Sequence, residues 1–549
     1  MKFPENAIWG NFGYRKLIEV RDVSKSKIFS DFDEKNLEYW FDFKKKKFLH
    51  TIDTFYYSVM FSNDFTSTSQ DVSVKKFRRY FEGLKKKLED ENKDFDCLSF
   101  YLLGFDQALL FKRFSFAGYY TICLECPEMF DIFLAPRVPQ GRDGKSVTTQ
   151  VVVQLRSYPL WVYGTHRAFE MSYKYVQIIA DYFGLTVEYT QENRADYCWH
   201  SNYFASPEKF FVPQKYFNMR VTRLTPEHSK DGVHFIYRPK GSADYDIGYI
   251  AEGKRGDKIF LRIYHKSREV VEKGYKPWFL KVWLLNGLIN RYDFYVYEKA
   301  FLKGSWKYID YARLEFYLEF GKDAELLSKC AAVIEKRENP SADSLRKLAD
   351  ECTPKINVIM NVEFQVMRKH SKSYYLIPFK DNSNKGIHKR IYDYLDNHAL
   401  IVDYLTNDVF RLVEDDSSDT NKSRRPMCSF WKSLRSTRLV DCVVKRDDLK
   451  LVREYNRKLN SEVVKARAIK SAITYGLYNK GIQMDNPKQD IVEMLCTLND
   501  NDMQDALRFK AKKIKQLNED ELSDLERLDV DASYRLLSLD SGEVITFSS

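Results

Sequence analysis

Three stretches of this chain separate apolar from reactive side chains with a period of two, and that periodicity is the tightest constraint on its fold. Successive side chains of a β-strand point to opposite faces. In KIFLRIYHK, Ile259, Leu261 and Ile263 therefore share one face, and Phe260, Arg262 and Tyr264 the other. In RADYCWH, Ala195, Tyr197 and Trp199 oppose Arg194, Asp196, Cys198 and His200. In YARLEFYLEF, Ala312, Leu314, Phe316, Leu318 and Phe320 oppose Arg313, Glu315, Tyr317 and Glu319. Brought together in one sheet, the reactive faces present arginines, carboxylates, a histidine and a tyrosine side by side. Strands whose polar side only meets water show the same alternation.

Further strand signals lie at His50 to Phe61, Tyr119 to Cys126, Met129 to Ala135 and Val147 to Gly164, and helical signals at Ser73 to Asp90 and Phe169 to Gly184. The expected class is α+β, a central antiparallel-rich sheet flanked by helices and followed by a mainly helical C-terminal region. A chain of 549 residues exceeds what one core supports. The expected division is an N-terminal extension (1–49), a catalytic domain (50–325), a helical or mixed extension (326–413), a polar linker (414–426) and a helical C-terminal domain (427–549). Asn339-Pro340-Ser341 and Asn486-Pro487 read as helix starts, and the segment Asp447 to Tyr475 as a basic amphipathic helix. The segment Tyr275 to Lys307 reads as a helix then a strand, a lid or DNA-contacting layer.

No apolar run is long enough to span a bilayer and the start has no signal-peptide pattern, so a cytoplasmic protein without membrane contact is expected. Nine scattered cysteines do not make a disulfide framework, and Cys123 and Cys126, the one CxxC, read as buried strand cysteines rather than a zinc site. The net charge of +10 fits a polyanionic partner. Basic clusters at Phe43 to Phe48, Lys75 to Lys87, Lys422 to Pro426 and Arg508 to Lys515 stand among abundant aromatics, as in grooves that hold single strands, although each also suits a solvated helix face.

The inventory suits phosphoryl transfer. A phenol, with a free pKa of about 10, needs adjacent positive charge or a base to act as a nucleophile. Hard carboxylates suit Mg²⁺ or Mn²⁺, and Arg262, Lys266 and Arg313 offer fixed positive charge to the transition state.

Taken in order, QENRADYCWHSNY, KRGDKIFLRIYHKSREVVEKG and DYARLEFYLEF resemble the rolling-circle replication initiators of Gram-positive plasmids and related relaxases of integrative elements. In that family an Arg-x-Asp strand, a Tyr-x-Lys-x-x-Glu strand and an Arg-x-Glu strand follow one another. Here they look like Arg194-Ala195-Asp196, Tyr264-His265-Lys266-Ser267-Arg268-Glu269 and Arg313-Leu314-Glu315. HTIDTFYY, with Asp53, is similar to the first strand of the family, and WVYGTHRAFE to a glycine-containing turn before its helix.

The resemblance covers about residues 50 to 325 and implies a metal-dependent, site-specific nickase acting on a single-stranded or hairpin origin. It implies Tyr264 as nucleophile, Lys266 and Arg313 at the phosphate, Asp196 and Glu315 as ligands of Mg²⁺ or Mn²⁺, and Arg194, Arg262 and Arg268 against DNA. His200 stands where the family has a second acidic residue and is the third ligand candidate; Arg268 stands where a second tyrosine is common. A host helicase and a second copy of the chain are further candidate partners. The competing reading, which His200 favours, is a catalytically inactive DNA-binding protein or regulator of a mobile element; a protein-interaction scaffold is a third. No P-loop and no His-hydrophobe-His motif is present.

Overall fold

The computed structural model describes residues 40–41, 46–93, 95–98, 109–112, 119–139, 148–225, 232–239, 245–256, 258–274, 276–368, 374–378, 385–386, 391–415, 419, 421–438 and 449–453. The chain enters its main sheet at β1 (Phe48–Phe61) and crosses through α1 (Val72–Asp90). It returns as a meander of β2 (Phe95–Leu98), β3 (Leu109–Lys112), β4 (Ile122–Cys126), β5 (Phe130–Leu134) and β6 (Val151–Leu155). Helices α2 (Ser157–Tyr163) and α3 (Thr165–Phe183) lead to β7 (Val187–Ser201). Short helices α4 (Pro207–Phe210) and α5 (Pro213–Met219) precede β8 (Arg220–Thr222), β9 (Val233–Pro239), β10 (Tyr245–Glu252) and β11 (Ile259–His265). A helical excursion follows: α6 (Lys266–Lys273), α7 (Trp278–Leu285), α8 (Arg291–Leu302), α9 (Ile309–Phe320), α10 (Ala324–Ile334) and α11 (Ala342–Cys352). Then come β12 (Met360–Met367), β13 (Tyr374–Pro378), β14 (Lys385–Gly386), α12 (Ile391–Leu395), α13 (His398–Tyr404), β15 (Phe410–Leu412), α14 (Ser429–Ser436) and β16 (Leu449–Arg453).

The class is α+β. Eleven strands pair in the order β2-β3-β4-β5-β6-β1-β7-β12-β11-β10-β9, every neighbouring pair antiparallel. Both faces are covered at β4 and β5, where every residue is buried. On one side α1 and α3 pack through Phe77 and Phe183, whose ring centroids lie 5.2 Å apart. Asp71 caps α1 by accepting from the backbone N–H groups of Ser73 and Val74, and α3 ends on the left-handed Gly184. Tyr197 of β7 reaches the same side, its hydroxyl 2.7 Å from His398 Nδ1 on α13. The opposite face, beneath α2, α6 and α7, carries the reactive rows. No described helix is long and apolar enough to cross a membrane.

Several expectations are corrected. The segment Ile309–Phe320 is the helix α9, not a strand. It buries Ile309, Ala312 and Phe316 at helical spacing on the main core, while Leu314 belongs to a second small core with Cys330, Val333, Leu345 and Ala349. A helix covered on both sides is apolar at nearly every other position, and so imitates a strand. The run Val147 to Gly164 is strand only as far as Leu155, beyond which α2 forms. Tyr275 to Lys307 holds two helices, α7 and α8, and no strand among its described residues. The sheet does not close by residue 325, because β12 lies between β7 and β11.

Residues 414–426 do not act as a free spacer: Val413 bridges Met427, and Glu414 N–H donates to Pro426 O at 2.9 Å. Within Asp447 to Tyr475, the described Leu449–Arg453 is a strand. A helix does start at Asn339-Pro340-Ser341, with Ser341 as the cap of α11 and Pro340 just outside the helix rather than in its first turn. The N-terminal extension up to residue 39, the Asn486-Pro487 helix start, the Arg508 to Lys515 cluster and nearly all of the C-terminal domain lie outside the described residues.

Candidate active site

The antiparallel register of β7, β12 and β11 aligns three polar rows on one face. Arg262 lies opposite Glu363 and Tyr264 opposite Asn361. Asp196, Cys198 and His200 lie opposite Gln365, Glu363 and Asn361. Directly paired residues share a face, so the rows of Arg262 and Tyr264, of Asn361 and Glu363, and of Asp196 and His200 form one polar patch.

Tyr264 is next to last in β11. Its hydroxyl donates to Glu363 Oε2 at 2.9 Å and accepts from Asn361 Nδ2 at 2.9 Å. The chain then turns directly into α6: His265 caps it, its Nδ1 accepting from Arg268 N–H at 3.1 Å, and Ile359 O receives the N–H groups of Lys266 and Ser267. This turn folds Lys266 back over the site. Its Nζ lies 3.4 Å from the Tyr264 hydroxyl and 2.9 Å from Glu269 Oε2. Burial raises the Tyr264 phenol well above its ordinary range and Glu363 adds to the rise, against the pull of Lys266. Burial opposes the charge on Lys266, but Tyr264, Glu269 and Asp53 outweigh it and hold the ammonium protonated.

Both carboxylates of the patch are held by arginines. Glu363 pairs with Arg262, and Asp196 with Arg194, whose Nε donates to Asp196 Oδ1 at 2.7 Å. The Arg194 and Arg262 side chains are 21% and 31% exposed, against 3% and 2% for Asp196 and Glu363. The cations therefore face the opening and the anions the floor. Burial lifts the Asp196 carboxyl to about 6 despite Arg194, and Glu363 pushes the same way.

Deeper in, a register slip between Ile52 and Thr54 makes Asp53 the extra residue of a β-bulge, a device that re-aims side chains. Its Oδ1 accepts from Trp161 Nε1 at 3.0 Å and its Oδ2 lies 3.7 Å from Lys276 Nζ. Burial would raise its carboxyl, but Lys276 and then Lys266 hold it below the usual carboxylate range. His200 is packed between Trp161 and Phe279, at 4.6 and 5.0 Å between ring centroids. Its Nδ1 accepts from Trp283 Nε1 at 3.1 Å, and burial holds the ring neutral, so its proton sits on Nε2.

No protein-family model and no curated protein matches this chain. Among solved structures, that of a rolling circle replication initiator protein from Geobacillus stearothermophilus is similar at 11% identity and a TM-score of 0.30, covering 72% of this chain and 100% of that chain. A likeness at that level bears on neither fold nor chemistry, which rest here on the residues themselves.

The structure gathers Arg194, Asp196, His200, Arg262, Tyr264 and Lys266, and leaves Arg268, Arg313 and Glu315 elsewhere. Arg268 pairs with Glu272 one turn along α6. Arg313 and Glu315 ride on α9, because that segment is not a strand. Arg313 is clamped by Asp310, Asp350 and the carbonyl oxygens of Ala349 and Thr353. Glu315 accepts from Tyr308 and lies 3.7 Å from Lys299. The expected ligand set of Asp196, Glu315 and His200 is thus not assembled, and no group of three or more His, Cys, Asp or Glu among the described residues is arranged to hold a metal ion. As arranged, with both patch carboxylates bound to guanidinium groups, the donors do not fit Mg²⁺ or Mn²⁺.

Sequence reasoning missed Asn361 and Glu363. Their signal is present in MNVEFQVM, where Asn361, Glu363 and Gln365 alternate with Val362, Phe364 and Val366 just as the other rows do. The segment lay beyond the domain boundary expected at residue 325.

Proposed function

We propose that this chain nicks one strand of DNA through Tyr264, in the manner of a replication initiation protein or relaxase, joining the phenol oxygen to a 5′-phosphate and freeing a 3′-hydroxyl. The observation that carries this reading is the setting of the Tyr264 hydroxyl, within hydrogen-bond reach of Glu363 and Asn361 and 3.4 Å from a buried ammonium. Arg194 and Arg262, at the opening, receive the phosphodiester backbone of a single-stranded or hairpin substrate. Lys266 offsets charge that develops on the phenol oxygen and the phosphoryl group, where a preoriented cation in a dry site counts most. These steps rest on side chains alone; dependence on Mg²⁺ or Mn²⁺ is read in the same assay by adding each ion or a chelator.

The test is covalent capture. Full-length protein incubated with labelled single-stranded and hairpin DNA is expected to give a denaturant-resistant adduct that Tyr264→Phe abolishes while still binding DNA. Absence of any adduct across these substrates and ions, or an unchanged adduct with Tyr264→Phe, would overturn the reading. The arginine pairing of Asp196 and Glu363 favours one second reading, a DNA-binding regulator that does not cleave. Salt-dependent binding without any adduct is its signature.

A further inference from the structure

Glu363, Glu269 and Asp53 act on the Tyr264 phenol and Asp196 acts on Glu363, and hydrogen bonds sort the four carboxylates. Asp196 is taken by Arg194, Asp53 by Trp161 and Lys276, and Glu269 by Lys266 and Lys273. Glu363 alone of the four receives the phenol proton, at 2.9 Å. Its other oxygen is anchored by Arg262. Asn361 Nδ2 is shared between the phenol oxygen at 2.9 Å and Glu363 Oε2 at 3.2 Å, which fixes both partners.

Resting on the nicking reading above, we infer that Glu363 is the general base of strand cleavage and Asn361 the residue that orients the phenol oxygen for attack. The O–H bond of Tyr264 breaks and its proton passes to Glu363 Oε2. The phenol oxygen bonds to phosphorus, the bond from phosphorus to the 3′-oxygen breaks, and that oxygen takes a proton from water to become the 3′-hydroxyl. Glu363 later returns its proton to solvent. Because the negative charge moves from Glu363 to an oxygen 2.9 Å away, the site keeps its net charge. Lys266 at 3.4 Å, and Arg262 at 5.5 Å from the Tyr264 ring centroid, remain beside it. No other group need be ionised or buried anew for the transfer to occur.

The charged and titratable groups facing the pair are Arg262 on β11, Asp196 with Arg194 and Cys198 on β7, Lys266 and Glu269 on α6, and Asp53 on β1. The experiment compares single-turnover adduct formation by full-length wild type, Tyr264→Phe and Glu363→Gln across pH, with DNA affinity and melting temperature measured alongside. A base contributes about 10²- to 10⁴-fold. Glu363→Gln is expected to lose that much rate with affinity unchanged, and its residual rate to climb about tenfold per pH unit, because the phenol must then ionise unaided. The wild-type rate is expected to level off. If wild type forms an adduct that Tyr264→Phe abolishes and Glu363→Gln cleaves at an unchanged rate, the base assignment fails and the nicking reading stands. If wild type forms none, nicking fails and the base assignment with it. Should Glu363→Gln not fold, Glu363→Ala assayed with and without formate decides: restored rate supports the base, and a slow rate indifferent to formate overturns it.

Discussion

The burial of Lys266 costs the fold little because its ammonium sits between Tyr264 and Glu269. Removing it separates catalysis from stability. Glu269 keeps Lys273 at 2.7 Å after Lys266→Met, so no carboxylate is left unpaired. Adduct formation is expected to fall about 10²- to 10³-fold, the usual loss of one fixed charge-stabilising donor, as read by single-turnover nicking. The same lysine governs an acid-stability signature. Burial would raise the Glu269 carboxyl, but Lys266 and then Lys273 hold it at about 2 rather than 4.5. A depressed folded-state value means that the stabilisation is fully present above pH 4.5 and is lost as pH falls toward 2. Melting temperature is therefore expected to drop over that window in wild type, and to drop less in Lys266→Met. An equal slope in the two proteins would count against the pairing. At this scale strand alternation placed Tyr264 on one face with Arg262, and the family resemblance singled out Tyr264 and Lys266, but neither said which carboxylate the phenol would meet. That partner is set by the register of β12 against β11, a pairing between residues about a hundred positions apart.

Helix α9 shows how an element can be misread from its pattern. Lying between the main core and a satellite core, it has apolar residues on opposite sides, which blurs the 3.6-residue period into an apparent alternation. Its Arg313 is 4% exposed and ties α9 to α11 through Asp350 and the Thr353 carbonyl. Arg313→Met is expected to lower stability by about 2–3 kcal/mol, somewhat below the usual cost of breaking a buried pair because Asp310 and Asp350 can rehydrate. Nicking per folded molecule is expected to stay unchanged; a selective loss of nicking in a fully stable variant would restore Arg313 to the phosphate. The turn between α2 and α3 rests on Gly164, with φ 78° and ψ 169°, a region open almost only to glycine. Gly164→Ala is expected to cost about 1–3 kcal/mol in denaturant unfolding. It should also disturb Trp161, three residues away, which spans Asp53 and His200.

Across the whole molecule the sheet depends on a strand that arrives late. The β12 strand sits between β7 and β11 although six helices, α6 to α11, separate it from β11 in sequence. A fragment of residues 50–325 would leave both neighbours with unpaired edges, and is expected to show no cooperative thermal transition by circular dichroism. A fragment of residues 40–455 is expected to melt cooperatively; a cooperative 50–325 fragment would contradict this account of the sheet. What the sequence determined by itself is local. Period-two rows fix which side chains share a face of β7 and β11, and a capping aspartate and a terminal glycine bound α1 and α3. Those are effects of neighbours along the chain, and they read directly. Only the tertiary structure decided which rows meet, that YARLEFYLEF is helical, and that Glu363 rather than Glu315 stands against Tyr264. Strand order and register, and the covering of α9 on both sides, arise from burial shared among distant segments, and no single segment encodes them.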